Sequence, residues 1–386
     1  MSGALEHELA AMREQIVAAN RERRPLRIAG GGTKSFYGTP HPAAACESAI
    51  GESALGETGT GDTIAALEVL DCRANLGVIS YEPTELVITA RCGTPLAELQ
   101  ATLAAERQYL PFEPPHFGAQ ATVGGAVAAG LSGPRRMAAG ALRDYMLGAT
   151  LLTAGGDVLR FGGQVMKNVA GYDVSRLLAG SLGVLGVIAE VSLKVLPLPA
   201  AEQTLQFAFS EAQAIRHCNQ WGGQPLPISA TLWHDGHLWV RLSGATAAVS
   251  AAATRLGGER LPLAQADSLW LAVREQTHPF FCDAGVLWRL SLPSATPPLE
   301  LSGPQLIEWG GALRWHVPLH DHTSSQALRE LVTRVGGSAT LFRAGPRATV
   351  ARFHPLDETV RKIHLRLKQE FDPNRILNPG RMYDWL

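Results

Sequence analysis

One segment, Pro25 to Gly38, constrains this chain more than any other: it reads Pro-Leu-Arg-Ile-Ala-Gly-Gly-Gly-Thr-Lys-Ser-Phe-Tyr-Gly. Leu26 to Ala29 read as a short strand that runs straight into three glycines. Lacking a Cβ, such a run can adopt positive φ and turn consecutive backbone N–H groups toward one point, which suits an anion such as a phosphate. Thr33 and Lys34 add a hydroxyl and a positive charge at the same edge. A Walker loop would need Gly-Lys-Ser/Thr after four intervening residues, and the dinucleotide fingerprint would need Gly-x-Gly-x-x-Gly opening a helix. Neither spacing is present, so the expectation is a phosphate cradle of another kind.

Around this segment the chain alternates helical and strand patterns. Leu5, Leu9, Met12 and Ile16 form one helical stripe. Glu85 to Arg91 read as a strand ending at Gly93, after which Thr94 and Pro95 are expected as N-cap and first residue of a helix carrying Leu96, Leu99 and Leu103. Met146 to Thr153 and Val158 to Phe161 read as strands joined across Ala154-Gly155-Gly156-Asp157. Asp173 to Leu178 suggest a short helix, Val187 to Leu196 a strand, and Pro197-Leu198-Pro199 a boundary. The stretch from about 200 to 340 reads as a mixed α/β unit of short strands and two or three helices. Leu356, Val360, Ile363, Leu367 and Phe371 then give a last helical stripe, stopped by Asp372-Pro373.

Composition narrows the function classes. A length of 386 residues calls for more than one compact unit. Hydrophobic residues at 46% against 18% charged describe a large core and not a disordered chain. A net charge of −1 supplies no general field for nucleic acid or anionic lipid. The five cysteines are scattered without a Cys-x-x-Cys, so free thiols in a reducing compartment are expected, and no disulfide scaffold, zinc site or iron–sulfur cluster. The first residues lack the pattern of a signal peptide, and no run approaches the roughly 20 apolar residues of a membrane span. The expectation is a cytoplasmic protein, at most peripheral to the inner membrane through partner subunits.

Two further glycine-rich stretches, Gly124 to Gly130 and Gly180 to Gly186, stand at element junctions beside Thr or Ser, as Gly30 to Gly32 do. Close approach of backbone to a large flat ligand needs glycine at several such points. In sequence order, Gly30-Gly31-Gly32-Thr33-Lys34, Glu82 to Val87, Ala121-Thr122-Val123-Gly124-Gly125, Leu142 to Gly148, Val165 to Asp173, Gly180 to Ile188 and Asn378-Pro379-Gly380-Arg381-Met382 resemble the motifs of the FAD-linked oxidases of the vanillyl-alcohol oxidase, or PCMH-type, superfamily. Within it the chain is most similar to the FAD-binding E-type subunits of bacterial glycolate oxidases. The likeness covers residues 1–198 densely and 341–386 well, and the middle only by length and position.

This resemblance implies an α+β fold: a two-subdomain PCMH-type FAD-binding domain at 1–198, an inserted α/β cap or substrate domain at 199–340, and a segment at 341–386 that returns to the FAD domain. Carried over by motif, Gly30, Gly31, Gly32, Thr33 and Lys34 would hold the pyrophosphate of FAD. Thr122, Val123, Gly124 and Gly125 would lie along the phosphate and ribityl region, Gly183, Gly186 and Ile188 along the adenosine and ring side, and Asn378 near the isoalloxazine. Members with covalent flavin carry His just after the first glycines; Thr33 and Lys34 stand there, so non-covalent FAD is expected. The family's metal-binding His-Gly-Asp-Gly-Asn-x-His has only a weak echo in Trp233-His234-Asp235-Gly236-His237, and no metal is expected.

Catalytic residues are harder to read. His316, His320 and His322 cluster in sequence and could ligate a metal or take a proton from a hydroxy acid, or could simply be packed. Arg343 and Arg347 lie where the cap returns; an Arg there could fork onto a substrate carboxylate or pair with a surface acid. Trp309 to Trp315 read as cap core or subunit interface. The resemblance implies oxidation of glycolate or another small 2-hydroxy acid, with electrons passing through FAD to a second flavin subunit and an iron–sulfur subunit. Two alternatives accompany it: a flavin-bearing, non-catalytic assembly subunit, or a self-sufficient FAD-dependent dehydrogenase.

Overall fold

The computed structural model describes residues 2–40, 67–163, 173–282, 284–319, 324–345 and 350–386. The architecture is α+β. A first helix, Ser2–Glu22, buries Met12, Ile16 and Ala19 together with Leu26 and Leu70 of a parallel strand pair, Leu26–Ala29 beside Glu68–Asp71. Residues 376–378 complete this pair from the far end of the sequence: Leu26 N–H donates to Ile376 O, Asn378 N–H donates to Leu26 O at 2.9 Å, and Leu26 bridges Leu377.

Beside it lies a five-stranded antiparallel sheet in the order Val78–Glu82, Val87–Arg91, Val187–Lys194, Met146–Leu152, Val158–Gly162. The hairpin expected across Ala154 to Asp157 is present. The strand expected from Glu85 begins at Val87, because Pro83–Glu85 form a 3-10 turn that ends on Leu86 with φ +57°. Thr94 does not cap the following helix, Leu96–Ala105; Pro95 takes that position. The fully buried Thr94 hydroxyl instead accepts from Gly77 N at 2.8 Å and donates to Gly77 O at 3.2 Å, tying two loops together.

The second large element is an eight-stranded sheet in the order Glu259–Arg260, Ala201–Ala208, His237–Gly244, Ile228–His234, Gln305–Glu308, Leu313–His316, Leu287–Ser291, Ser338–Arg343. Asp235 and Gly236, at φ +46° and +76°, make the two-residue turn between Ile228–His234 and His237–Gly244. Both positions need positive φ, which Asp-Gly accepts readily. The Trp233 to His237 stretch is therefore a hairpin tip. Alternation along the strands separates two faces. Leu205, Val240, Trp288 and Leu290 meet the helices Glu211–Gly222, Thr246–Leu256 and Ser325–Arg334. Leu232, Leu306, Trp315 and Phe342 cluster with Tyr37, Leu131 and Leu182 of the first half. Trp309 and Trp315 are core, at 6% and 5% exposure.

The last helix, Glu358–Phe371, departs from its apparent stripe: Ile363 is half exposed while Lys368 is buried. Burial of that ammonium is tolerable because it donates to Val184 O, Leu377 O and Asp372 Oδ2 at 2.8 to 2.9 Å. Among the described residues, no helix is long and apolar enough to cross a membrane.

Candidate functional site

Four stretches remote in sequence converge on one cleft of about 420 Å³. The strand Leu26–Ala29 delivers Gly30, Gly31, Gly32, Thr33 and Lys34 to one wall. Thr122, Gly124 and Gly125 form a second, Gly183, Gly186 and Ile188 a third, and Asn378 with Arg381 closes one end.

The glycine run presents donors. Among the described residues, the backbone N–H groups of Gly30, Gly31, Gly32, Thr33 and Lys34 donate to no protein acceptor, whereas those of Ser35 and Tyr37 close turns onto Gly32 O and Lys34 O. Consecutive amides left over in this way form an anion-binding concavity. Arg27, Lys34, Arg73 and Arg381 also line the cleft, with Asp71 as the only carboxylate among the described residues; Asp71 is held by Arg73 at 2.6 Å. That excess of positive charge over uncommitted amides fits the diphosphate of a dinucleotide.

The second wall works differently. Val123, Gly124 and Gly125 spend their N–H groups on Thr94 O, Cys92 O and Thr122 Oγ1. Thr122 is thus the N-cap of the short helix Val123–Ala129. The glycines here supply room: Gly124 sits against Cys92, where an added Cβ would be 2.6 Å from the Cys92 Cβ. Val123, expected in the site, is not brought to it; its side chain is 1% exposed in the core with Leu96 and Leu99. A helical turn carries its side chains in different directions, so one member of a contiguous motif faces inward when its neighbours face the cleft.

Gly31 also owes its identity to packing. A Cβ there would lie 1.5 Å from Gln120 O, so the glycine run presses directly on the 118–122 loop. Asn378, at φ +44°, has both ends of its amide committed: Oδ1 accepts from Ile28 N at 2.8 Å and Nδ2 donates to Leu182 O at 2.7 Å. It joins the first strand to the third glycine segment. Arg381 does the same for the loop after the glycines, donating to the carbonyls of Ser35, Tyr37 and Thr39 at 2.8, 2.6 and 2.7 Å. Burial pulls its guanidinium down to about 10. Sequence reasoning passed over Arg381, Arg27 and Gln120; a basic residue following the Asn-Pro-Gly turn was the available signal for the first.

Lys34 lines the cleft and reaches the loop at His116 and Phe117. The residue is 9% exposed, and its ammonium donates to His116 O at 3.1 Å and Thr33 Oγ1 at 3.3 Å and lies 5.8 Å from the centre of the Phe117 ring. Burial lowers it to about 8, against the opposing pull of Glu275. Glu275 accepts from the N–H groups of His116 and Phe117 at 3.0 and 2.9 Å, so the end of helix Leu263–Glu275 caps the loop that holds Lys34.

The two described catalytic candidates, His316 and Arg343, do not line the cleft. His316 is fully buried on the face of the sheet that carries Trp288 and Gln305. Its neighbour Trp315 points to the opposite face, toward Phe342 and Phe281. Strand alternation alone forces that separation. Arg343 is committed to Gln276 Oε1 at 2.6 Å and Phe281 O at 3.2 Å, with its guanidinium over Phe36. His320, His322, Arg347 and the stretch 165–172 lie outside the described residues. Among the described residues no group of His, Cys, Asp and Glu is arranged to hold a metal.

A family model described as an FAD binding domain matches residues 51–162. Glycolate oxidase subunit GlcE of Escherichia coli (strain K12) is 45% identical over 373 residues, 97% of this chain and 97% of that protein. Glycolate oxidase subunit GlcD of Bacillus subtilis (strain 168) is 30% identical over 36% of this chain and 29% of its own length. A D-lactate dehydrogenase of Archaeoglobus fulgidus is 35% identical over 36% of this chain and 33% of its own. Among solved structures, alkyldihydroxyacetonephosphate synthase superposes with a TM-score of 0.63 over 95% of this chain and 75% of that one, at 15% identity, a likeness of fold alone.

Proposed function

This chain belongs to the family of the glycolate oxidase subunit GlcE, and on that footing we propose that it is the FAD-bearing subunit of a complex that oxidises glycolate or a similar small 2-hydroxy acid. Electrons would leave by way of FAD for a partner subunit, the expected partners being a second flavin subunit and an iron–sulfur subunit. The chain itself is an FAD-binding flavoprotein of the oxidoreductase class. When bound, FAD supplies the electron-accepting chemistry, and the protein supplies position and electrostatics.

The observation that carries the assignment of the site is the row of uncommitted amides from Gly30 to Lys34 in a cleft lined by Arg27, Lys34, Arg73 and Arg381. These groups would hold the diphosphate. Gly124, Gly125, Gly183, Gly186 and Ile188 would leave room for the rest of the cofactor, with Thr122 fixing the second wall, while Asn378 and Arg381 keep the walls in register. Residues 1–198 and 341–386 form the flavin-binding part in this reading, and 199–340 the cap. No group at the glycine run calls for a covalent flavin bond. Protein purified with its flavin should release all of it on acid precipitation; flavin retained in the pellet overturns non-covalent binding. Co-expressed with the two partner subunits, the chain should be required for glycolate-dependent reduction of an artificial acceptor, and full turnover without it defeats the proposal.

A second reading is favoured by the placement of Arg343 and His316, one committed to protein partners and the other on the far face of its sheet. In it, the chain carries FAD and organises the complex while a partner binds the hydroxy acid. Assay of the FAD-loaded chain alone on glycolate and D-lactate narrows the readings: turnover without partners eliminates the assembly reading, and inactivity eliminates a self-sufficient dehydrogenase.

A further inference from the structure

Helix Leu263–Glu275 carries one broad apolar stripe, one edge of which is left in water. Ala266, Trp270 and Val273 are buried, with the Trp270 indole donating to Thr204 Oγ1 at 2.9 Å. The edge of this stripe presents Leu263, Asp267 and Leu271, spaced by four, and its leucines are 66% and 51% exposed. They border a second cavity of about 290 Å³ that shares no lining residue with the cleft of the glycine run.

The floor of this cavity is charged and already paired. Arg241, 5% exposed, meets Glu113 at 2.9 Å; Arg135 meets Glu113 at 3.3 Å and Glu202 at 2.5 Å. Arg274 pairs with Glu275 at 2.8 Å. Asp267 is different: among the described residues its carboxylate has neither an ion pair nor a hydrogen bond, and it stands between the two exposed leucines. After every pairing is made, the cavity mouth is left with one negative charge in an apolar frame.

We propose that this face docks a partner subunit of the complex, which inserts an arginine or lysine side chain from within an apolar patch. The aliphatic stem of such a side chain would lie along Leu261, Trp270 and Leu271, with its cationic head at Asp267. A free small cation would leave Leu263 and Leu271 in water; a protein surface covers them, as the anchor-and-rim anatomy of interfaces requires. The inference rests on the complex proposed above.

Affinity-tagged chain, co-expressed with the second flavin subunit and the iron–sulfur subunit, tests it. Asp267→Lys and the double variant Leu263→Ser/Leu271→Ser should each lower partner recovery at least tenfold while FAD content and melting temperature stay at the wild-type values. Leu76→Ser/Ile363→Ser, which removes comparably exposed apolar residues elsewhere, should leave recovery intact. Undiminished recovery with the double variant overturns the docking face, and undiminished recovery with Asp267→Lys overturns the basic anchor. A wild-type chain that is itself a dimer, split by these variants, overturns the proposal in favour of a second copy. If the wild-type chain recovers neither subunit, the complex reading itself falls first, and the docking face falls with it.

Discussion

Lys34 shows how one side chain can couple cofactor binding to pH. Buried beside Phe117, it falls from its ordinary 10.5 to about 8, because burial disfavours the ammonium. Between those values the unfolded chain holds a proton that the folded chain does not, so this group makes stability without cofactor rise with pH across that window. A diphosphate in the cleft reverses the preference and favours the ammonium. FAD affinity should therefore be highest below pH 8 and fall above it, by up to about tenfold per pH unit for a single coupled proton. Titration of FAD at pH 7 and pH 9 measures this, and Lys34→Met should abolish the slope; an unchanged slope assigns it to another group. The charge was legible in the sequence, but its burial was not, since that depends on Glu275 and His116 arriving from elsewhere.

Among the elements, the strands and hairpins were read best and the meaning of individual glycines least. The Leu26–Ala29 strand and the hairpin after Met146–Leu152 follow from local pattern, and the Asp235-Gly236 turn was equally available as a hairpin signal. The stripe of the last helix misled at Ile363, because Lys368 takes the buried position through three acceptors that no periodicity records. Gly31 and Gly125 look alike in sequence yet differ in what a side chain would meet. Gly31→Ala drives a Cβ into the Gln120 carbonyl, and should destabilise even cofactor-free protein by about 3 kcal/mol. At Gly125, in a helix, only Thr122 Oγ1 lies nearby, at 3.1 Å. Gly125→Leu should thus leave the melting temperature of cofactor-free protein nearly unchanged and still eliminate bound FAD. Thermal melts together with flavin absorbance distinguish the two; equal effects would mean that one of these surroundings is misassigned.

For the whole molecule, the ties that matter most span the chain. The Lys368–Asp372 pair is almost wholly buried, and Asp372 also accepts from the N–H groups of Ile376 and Leu377 at 3.0 and 2.8 Å. Through Lys368 it reaches Val184, and through Leu377 and Asn378 it reaches the first strand. Asp372→Ala leaves an ammonium buried without its counter-charge and should cost about 3–5 kcal/mol. It should also release FAD, although Asp372 does not line the cleft. Denaturant unfolding and flavin content check both effects, and retained FAD at reduced stability would confine the pair to the local fold. Ile28 N–H is bonded to Asn378 across 350 residues of chain. On a ribosome the glycine run therefore emerges long before the residues that hold its strand in place. Domains often fold as they are synthesised, but here the scaffold of the first strand waits for a segment made much later. FAD is accordingly expected to bind only once residues 376–378 have been made, and until then the five amides of Gly30 to Lys34, which among the described residues have no protein partner, are expected to stay in water.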